Sequence, residues 1–427
     1  VTSLMRALES YSCADDYDPN SLPVSKAQEI IRSLVVPVTG TQRLFIRDAL
    51  GRVLAENVIS PMNVPGHDNS AMDGYALRFA DLQAEGGTRL RIAGSAFAGR
   101  AYEAAVNPGE CVRIMTGAIM PEGSDTVVIQ EVVTVEGEWA HVPPGQKQGQ
   151  NLRRAGEDLR AGAPALAAGR VVRPAELGML ASLGIAEISV RRRIRVALFS
   201  TGDELCSIGS QPKPGEVFDS NRYTLYGMLT RLGCEVMDLG VVRDEPAALE
   251  NALELAAANA DAIITSGGVS VGEADFIREL MSRLGEVVFW KIAMKPGRPM
   301  AFGRIAADGA GAYLFGLPGN PVAVMVTFYQ FVRDALLTLA GAGPIEPVPT
   351  LQVPCITALK KSPGRTEYQR GHLFLDDGTW KVRVTGAQGS GVLRSMSEAN
   401  CFIVLEHERG SVASGDMVSV QLMEGLI

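Results

Sequence analysis

A chain of 427 residues exceeds the ~100–200 residues of one compact unit, so three or four domains are expected. Hydrophobic residues at 46% and charged residues at 21% describe an ordinary globular chain. Forty basic against 48 acidic residues, a net charge of -8, exclude bulk nucleic-acid binding, because too little positive charge is concentrated anywhere to follow a phosphate backbone. A small anion held by a few local cations is still compatible with that balance.

The six cysteines are scattered without CxxC spacing, which suggests neither a disulfide framework nor a zinc site. No apolar stretch reads as reaching the ~18–20 residues of a membrane span, and the N-terminus carries no apolar secretory core. A cytoplasmic protein with no membrane partner is therefore expected.

In chain order, residues 1–20 are polar, and the spacing Ala27, Ile30, Ile31, Leu34 predicts a helix over Ser25–Val35. Leu44–Val58 reads as a strand, a turn at Gly51 and a second strand. Across residues 61–149, short β-like runs between Gly and Pro turns (Leu90–Ala93, Cys111–Met115, Thr126–Val133) predict a β-rich insert. Apolar segments near residues 164–190 are expected to pack with the early helix, making the β-rich part an insertion into one domain.

From residue 191 the pattern changes. Arg195–Phe199, Glu235–Val242, Ala262–Thr265, Val287–Ile292 and Tyr313–Gly316 read as strands. Tyr223–Leu232, Ala247–Ala258, Phe276–Leu284 and Val322–Leu339 read as helices between or after them. This alternation predicts a doubly wound, mostly parallel sheet. A Gly/Pro-rich linker at residues 341–349 precedes a small C-terminal β domain. The expected fold is thus multidomain α/β plus β. A mixed linking domain takes residues 21–60 and 150–185, the β-rich inserted domain 61–149, the α/β domain 186–340 (with 1–20 assigned to it), and the C-terminal β domain 345–427.

Ligands of an open α/β sheet collect beyond the carboxyl ends of its strands. Three such exits carry small or polar turns: Ser200-Thr201-Gly202-Asp203-Glu204, Ser266-Gly267-Gly268-Val269-Ser270-Val271-Gly272-Glu273-Ala274-Asp275 and Leu317-Pro318-Gly319-Asn320-Pro321. The Ser266–Gly268 turn suits backbone approach to an anion, although an ordinary tight βα turn has the same composition. Asp275 reads equally as a helix cap, Asp203 and Glu204 as solvated turn residues, and Asp219-Ser220-Asn221 as a cap. Several acids on one rim, with Asp244 beyond Val242, also suit Mg²⁺, which takes one or two carboxylates plus substrate phosphates.

Lys291, Lys295 and Arg298 lie in or beside a proline-stiffened turn that suits a small oxyanion, or forms a plain basic loop. The four histidines make no ligand pattern, and His67 reads as a surface residue. No GxSxG, HExxH or GxxxxGK[ST] motif occurs.

Six segments taken together resemble the MoeA family, equivalent to the gephyrin E domain. They are Asp68-Asn69-Ser70-Ala71-Met72-Asp73-Gly74-Tyr75, Arg113-Ile114-Met115-Thr116-Gly117, Arg153-Arg154-Ala155-Gly156-Glu157-Asp158, Ser200–Leu205, Thr265–Asp275 and Gly316–Pro321, in order. The sheet segment alone is shared with the smaller molybdopterin adenylyltransferases; the insert and the C-terminal domain favour MoeA.

The resemblance implies a molybdopterin molybdenumtransferase that takes adenylylated molybdopterin and molybdate and releases AMP with Mg²⁺ assisting. It also implies a homodimer whose cleft lies between the sheet domain of one subunit and the insert of the other. A separate molybdopterin adenylyltransferase would supply substrate, and downstream molybdoenzyme-maturation proteins would receive the product transiently. Carried over residue by residue, the functional positions are Asp73, Thr116, Arg153, Asp158, Glu204, Asp244, Asp275, Lys291, Lys295, Pro318 and Pro321. Within that scheme Ser266, Gly267, Gly268 and Ser270 seat phosphate groups, Glu204, Asp244 and Asp275 organise Mg²⁺, and Lys295, Arg298, Arg370 and Ser390 hold molybdate. Ala323 stands where many relatives place a small hydroxyl, and Arg298 where lysine is frequent. Two alternatives are a non-catalytic gephyrin-like scaffold and a molybdopterin adenylyltransferase.

Overall fold

The computed structural model describes residues 21–267, 280, 283–307 and 310–423. Among the described residues the first helix, α1 (Val24–Leu34), buries Val24, Ala27, Ile30 and Ile31 on one face. Those residues share a core with Leu198, Trp290, Phe302, Phe315 and Leu336, so α1 joins the α/β unit rather than the 164–190 segment. The Tyr313 hydroxyl secures the helix end, donating to the Leu34 carbonyl and accepting from the Val36 amide, both at 3.0 Å.

Strands β1 (Thr41–Phe45) and β2 (Val58–Ile59) do not pair with each other. Next come β3 (Asn69–Ser70), β4 (Gly74–Leu77), β5 (Thr88–Ala96), β6 (Glu110–Ile114), β7 (Thr126–Ile129), β8 (Thr134–Glu136) and β9 (Trp139–Val142). After them lie β10 (Leu152–Arg153), β11 (Pro164–Leu166), helix α2 (Pro174–Ser182) and β12 (Glu187–Arg191). β1 pairs antiparallel with β12 and β2 with β11, which brings chain on either side of the insert together. The insert itself is a six-stranded sheet in the order β7-β4-β6-β5-β9-β8.

The α/β unit begins with β13 (Arg195–Thr201), β14 (Leu205–Cys206), β15 (Val217–Phe218), α3 (Ser220–Arg231), β16 (Glu235–Val242), α4 (Pro246–Asn259) and β17 (Ala262–Ser266). It continues with β18 (Gly285–Lys291), β19 (Met294–Lys295), β20 (Pro299–Ala307) and β21 (Ala310–Leu317). The sheet order is β16-β13-β17-β21-β20-β18; the first four strands are parallel, and β20 pairs antiparallel with both β21 and β18. Side chains of β13 alternate between two cores, Val196 and Leu198 in one, Ala197 and Phe199 in the other. A strand covered on both faces reads as a continuous apolar run, which is why its sequence was so legible. β20 was not expected: Pro299, Gly303 and Arg304 break the apolar run. Ala301–Ala307 pairs antiparallel with Ala310–Gly316 of β21.

The helix Pro321–Leu339 comprises α5 (Pro321–Thr327), a π-helical turn (Phe328–Val332) and α6 (Arg333–Leu339). Its 19 residues meet the length and composition of a membrane span, contrary to the expectation that no apolar stretch does. Two thirds of its most apolar window, 67%, is buried, and Val322, Val326, Phe328, Phe331 and Leu336 belong to the main core. It is the central core helix of this unit. The linker that follows is tied back by the Gly343 amide, which donates to the Gly169 carbonyl at 3.1 Å.

The C-terminal part contains β22 (Thr350–Pro354), β23 (Thr366–Asp376), β24 (Thr379–Val384), the short helix α7 (Arg394–Ser397), β25 (Cys401–Leu405) and β26 (Met417–Leu422). Its sheet runs β19-β23-β25-β26-β22, with β24 on β23. β19 comes from the α/β unit, so one short strand stitches the two parts together.

Candidate active site

Three strand exits of the α/β sheet meet at the start of α5. Gly267 sits directly on the exit of β13 with φ +97°, and a Cβ there would lie 2.2 Å from the Thr201 carbonyl oxygen. Only glycine permits that contact, because the obstacle is backbone and cannot move aside. The Gly267 amide donates to the Leu317 carbonyl at 3.1 Å, joining the exits of β17 and β21. Asn221, in the first turn of α3, bridges the same two turns: its Nδ2 donates to Ser266 Oγ at 2.8 Å and to the Gly319 carbonyl at 2.6 Å. Pro318 is buried, and Pro321 opens α5 at its first position.

The carboxylates lie on the same rim. The Thr201 hydroxyl donates to Asp244 Oδ1, fixing that side chain across the β13–β16 pair. Glu204 is exposed three residues beyond Thr201, and its carbonyl accepts from the Val217 amide at 2.8 Å. Gly268, Ser270 and Asp275 lie outside the described residues. Among the described residues no group of three His, Cys, Asp or Glu side chains is placed to hold a metal. Glu204 follows the exit of β13 and Asp244 the exit of β16, and Mg²⁺ commonly uses one or two carboxylates with phosphate and water completing its shell.

The basic turn is wedged between α5 and the C-terminal sheet. Lys295 pairs in parallel register with Glu367, and its Nζ lies 3.9 Å from Glu367 Oε1. Gly297 has φ +98°, and a Cβ there would sit 2.5 Å from Thr327 Oγ1 on the helix. The Arg298 carbonyl accepts from the Ile292 amide at 2.7 Å, and its Nη2 approaches Ser21 Oγ at 3.4 Å. Lys291 is half-buried one strand-end away.

Arg370 differs from these surface cations in being 1% exposed. Its Nε donates to Ser395 Oγ at 3.0 Å, and its Nη2 to the Gly389 carbonyl at 3.0 Å and the Ala387 carbonyl at 3.5 Å. All of these partners are neutral, and burial lowers the guanidinium pKa to about 10. A buried cation with no carboxylate partner among the described residues favours any anion that can approach it. The adjacent Ser390 carbonyl accepts from the Val322 amide at 3.0 Å, which docks this loop on the first turn of α5.

A second constellation lies in and beside the insert. Asp73 Oδ1 accepts both the Thr116 amide and the Thr116 hydroxyl at 2.7 Å. These two bonds, helped by the Arg113 charge, hold the Asp73 carboxyl below the usual carboxylate range. The same knot of backbone places Arg153, which pairs with Asn69 across β3 and β10, while the Gly117 amide donates to the Ser70 carbonyl at 2.8 Å. Asp68 Oδ1 accepts the Ala155 amide at 2.7 Å, and the Asp158 amide donates to the Val64 carbonyl at 3.1 Å. Both Arg153 and Asp158 are exposed, as is His67.

The predicted residues therefore form two groups: Asp73, Thr116, Arg153 and Asp158 with the insert, and Glu204, Asp244, Ser266, Gly267, Pro318, Pro321, Lys291, Lys295, Arg298, Arg370 and Ser390 around the strand exits. Sequence reading treated Asp219-Ser220-Asn221 as a helix cap. Asp219 does cap α3, accepting the Arg222 amide at 3.3 Å, and it also accepts Ser200 Oγ at 2.9 Å. Missed were the roles of Thr201 and Asn221 as ties between turns. The available signal was a small polar residue at a strand exit and an amide side chain beside a cap.

Three family profiles match almost end to end: "MoeA N-terminal region (domain I and II)" over residues 22–184, "Probable molybdopterin binding domain" over 197–338, and "MoeA C-terminal region (domain IV)" over 352–423. The molybdopterin molybdenumtransferase of Haemophilus influenzae is 43% identical over 394 residues, covering 91% of this chain and 95% of that one. The one from a Nostoc species is 37% identical over 409 residues, covering 93% of each. The crystal structure of the molybdopterin biosynthesis moeA protein from Pyrococcus horikoshii superposes with a TM-score of 0.80 at 26% identity, covering 94% of this chain and 100% of that one. The chain belongs to the MoeA family.

Proposed function

We propose that this protein is a molybdopterin molybdenumtransferase of molybdenum cofactor biosynthesis. It takes adenylylated molybdopterin and molybdate, inserts the metal at the dithiolene and releases AMP. The observation that carries the reading is the meeting of a glycine-bearing backbone turn and a cationic wedge at the start of α5. Asn221 brings Ser266 to Gly319, and three residues later the Val322 amide holds Ser390 beside buried Arg370.

In this scheme the Ser266 hydroxyl and the turn through Gly267 and Gly268, with Ser270, receive the substrate's phosphate groups. Lys295, Arg298, Arg370 and Ser390 receive molybdate, with Lys291 adding charge at the rim. Pro318 and Pro321 stiffen the turn between the two anions. Glu204 and Asp244, together with Asp275, hold Mg²⁺, which when bound offsets pyrophosphate charge. Asp73, kept ionised by Thr116, orients substrate or water, and Arg153 and Asp158 border it.

The insert group reaches this cleft from a second subunit of a homodimer. A separate adenylyltransferase supplies the substrate, and downstream maturation proteins take the product. The five cysteines among the described residues carry free thiols, in keeping with a reducing compartment such as the cytoplasm.

The test is direct. Purified protein given adenylylated molybdopterin, molybdate and Mg²⁺ should release AMP only when molybdate is present. ATP-dependent adenylylation of molybdopterin would identify an adenylyltransferase instead, and inertness a scaffold.

A further inference from the structure

Asn221 is 9% exposed, and both of its Nδ2 bonds are short. A backbone carbonyl can only accept, so the bond to Gly319 fixes which side of the amide carries the nitrogen. The Oδ1 on the other side is buried with no hydrogen-bond partner among the described residues. Asn221 is thus aimed by its donors alone. Its bond occupies a lone pair of Ser266 Oγ, which leaves the Ser266 proton free to be donated onward.

The frame behind it is rigid. Asp219, the N-cap two residues earlier, accepts Ser200 Oγ at 2.9 Å and Arg222 Nε at 2.9 Å. Arg222 Nη1 in turn donates to Asp238 Oδ2 at 2.6 Å. The first turn of α3 is therefore anchored to β13 and β16, and Asn221 transmits that position to the exits of β17 and β21.

We infer that Asn221 is a positioning residue for the adenylylated substrate: its amide holds the Ser266 hydroxyl as a donor facing the phosphate groups and fixes the Gly319 turn against it. This rests on the reaction proposed above, in which Ser266 and Gly267 receive phosphate. A plain structural strut would lower stability without selecting one substrate. A positioning residue acts through Ser266 and on one KM.

The experiment uses the full chain with adenylylated molybdopterin, molybdate and Mg²⁺. It compares wild type with Asn221→Ala, Asn221→Asp, Ser266→Ala and the Asn221→Ala/Ser266→Ala double variant. Asn221→Asp keeps the shape but loses both donors. Expected is a rise of about tenfold in KM for the adenylylated substrate in each single variant, with KM for molybdate within about twofold of wild type. The double variant should be no worse than the poorer single one, because the two residues act through one hydroxyl.

Multiplying effects, or equal shifts in both KM values, would overturn the inference. A Ser266→Ala protein with wild-type KM would do so even if the Asn221 variants failed to fold. A wild-type protein that releases no AMP would instead remove the reaction on which the inference rests.

Discussion

At the scale of single residues, the most defined pair is Asp73 and Thr116. Two donors on one carboxylate oxygen, followed by the Arg113 charge, favour the ionised form and lower its pKa. The sign follows from linkage: what the ionised group contributes to stability is present above its unfolded pKa and fades as pH falls through the lowered folded value. Thr116→Val removes one donor while keeping the shape and the backbone bond. The Asp73 pKa should then rise toward its ordinary value, and the fading should begin at higher pH. Carboxyl-carbon NMR across an acid titration reads the first effect directly, and Thr116→Ser should restore wild-type behaviour. AMP release should fall by about tenfold in Thr116→Val if the carboxylate orients a reactant. An unshifted Asp73 titration would show that the hydroxyl bond does not tune this group. The sequence marked both residues only through family resemblance, since Asp73-Gly74 alone reads as a turn. Nothing local announced that the two lie one hydrogen bond apart, because they are joined through the β4–β6 pairing.

At the scale of elements, legibility tracked burial. β13 and β17 were evident because both faces are covered, and α4 because Leu249, Ala252, Leu253 and Ala256 repeat at helical spacing. β20 was lost to Pro299 and Gly303, whose strand character comes from pairing with β18 and β21 rather than from its own composition. The stripe of α1 is legible, but its partner is the α/β core rather than the 164–190 segment: an amphipathic stripe says that a face is buried, not against what. The turn Lys295–Arg298 shows the converse, a loop whose shape depends on the helix beneath it. Gly297→Ala would impose a left-handed strain and push a methyl group into Thr327 Oγ1, which is itself buried and bonded to the Ala323 carbonyl at 2.7 Å. A loss of about 1–3 kcal/mol is expected. Thermal unfolding should show it as a lower midpoint. KM for molybdate should rise more than KM for the adenylylated substrate, because Lys295 and Arg298 flank the strained residue. A variant with unchanged midpoint and kinetics would mean that the turn relaxes freely and does not set the cations.

At the scale of the whole molecule, the proposed reaction requires Asp73 to meet the strand exits. The insert sheet and the α/β sheet each close their own hydrogen-bonded ladders, and the segment that joins them is the pair of short ladders β1–β12 and β2–β11. Sequence order could not reveal this spatial relation: residues near in the chain, such as Arg153 and Glu204, are assigned to different groups. A cleft shared between subunits makes a quantitative prediction that a cleft within one chain does not. Take two inactive variants, Asp73→Asn and Lys295→Ala, denature and refold them together in equal amounts, and measure molybdate-dependent AMP release. In random C₂ pairing about half of the dimers are mixed, and each mixed dimer rebuilds one intact cleft from the undamaged insert of one subunit and the undamaged sheet of the other. About a quarter of wild-type activity should return, although neither variant alone has any. If Asp73 and Lys295 served the same cleft from the same chain, every cleft in every mixture would carry a lesion and activity would stay at the level of the separate variants. Size-exclusion chromatography of the refolded mixture at assay concentration confirms that dimers are present. Dimers without recovered activity would therefore reject the shared cleft itself.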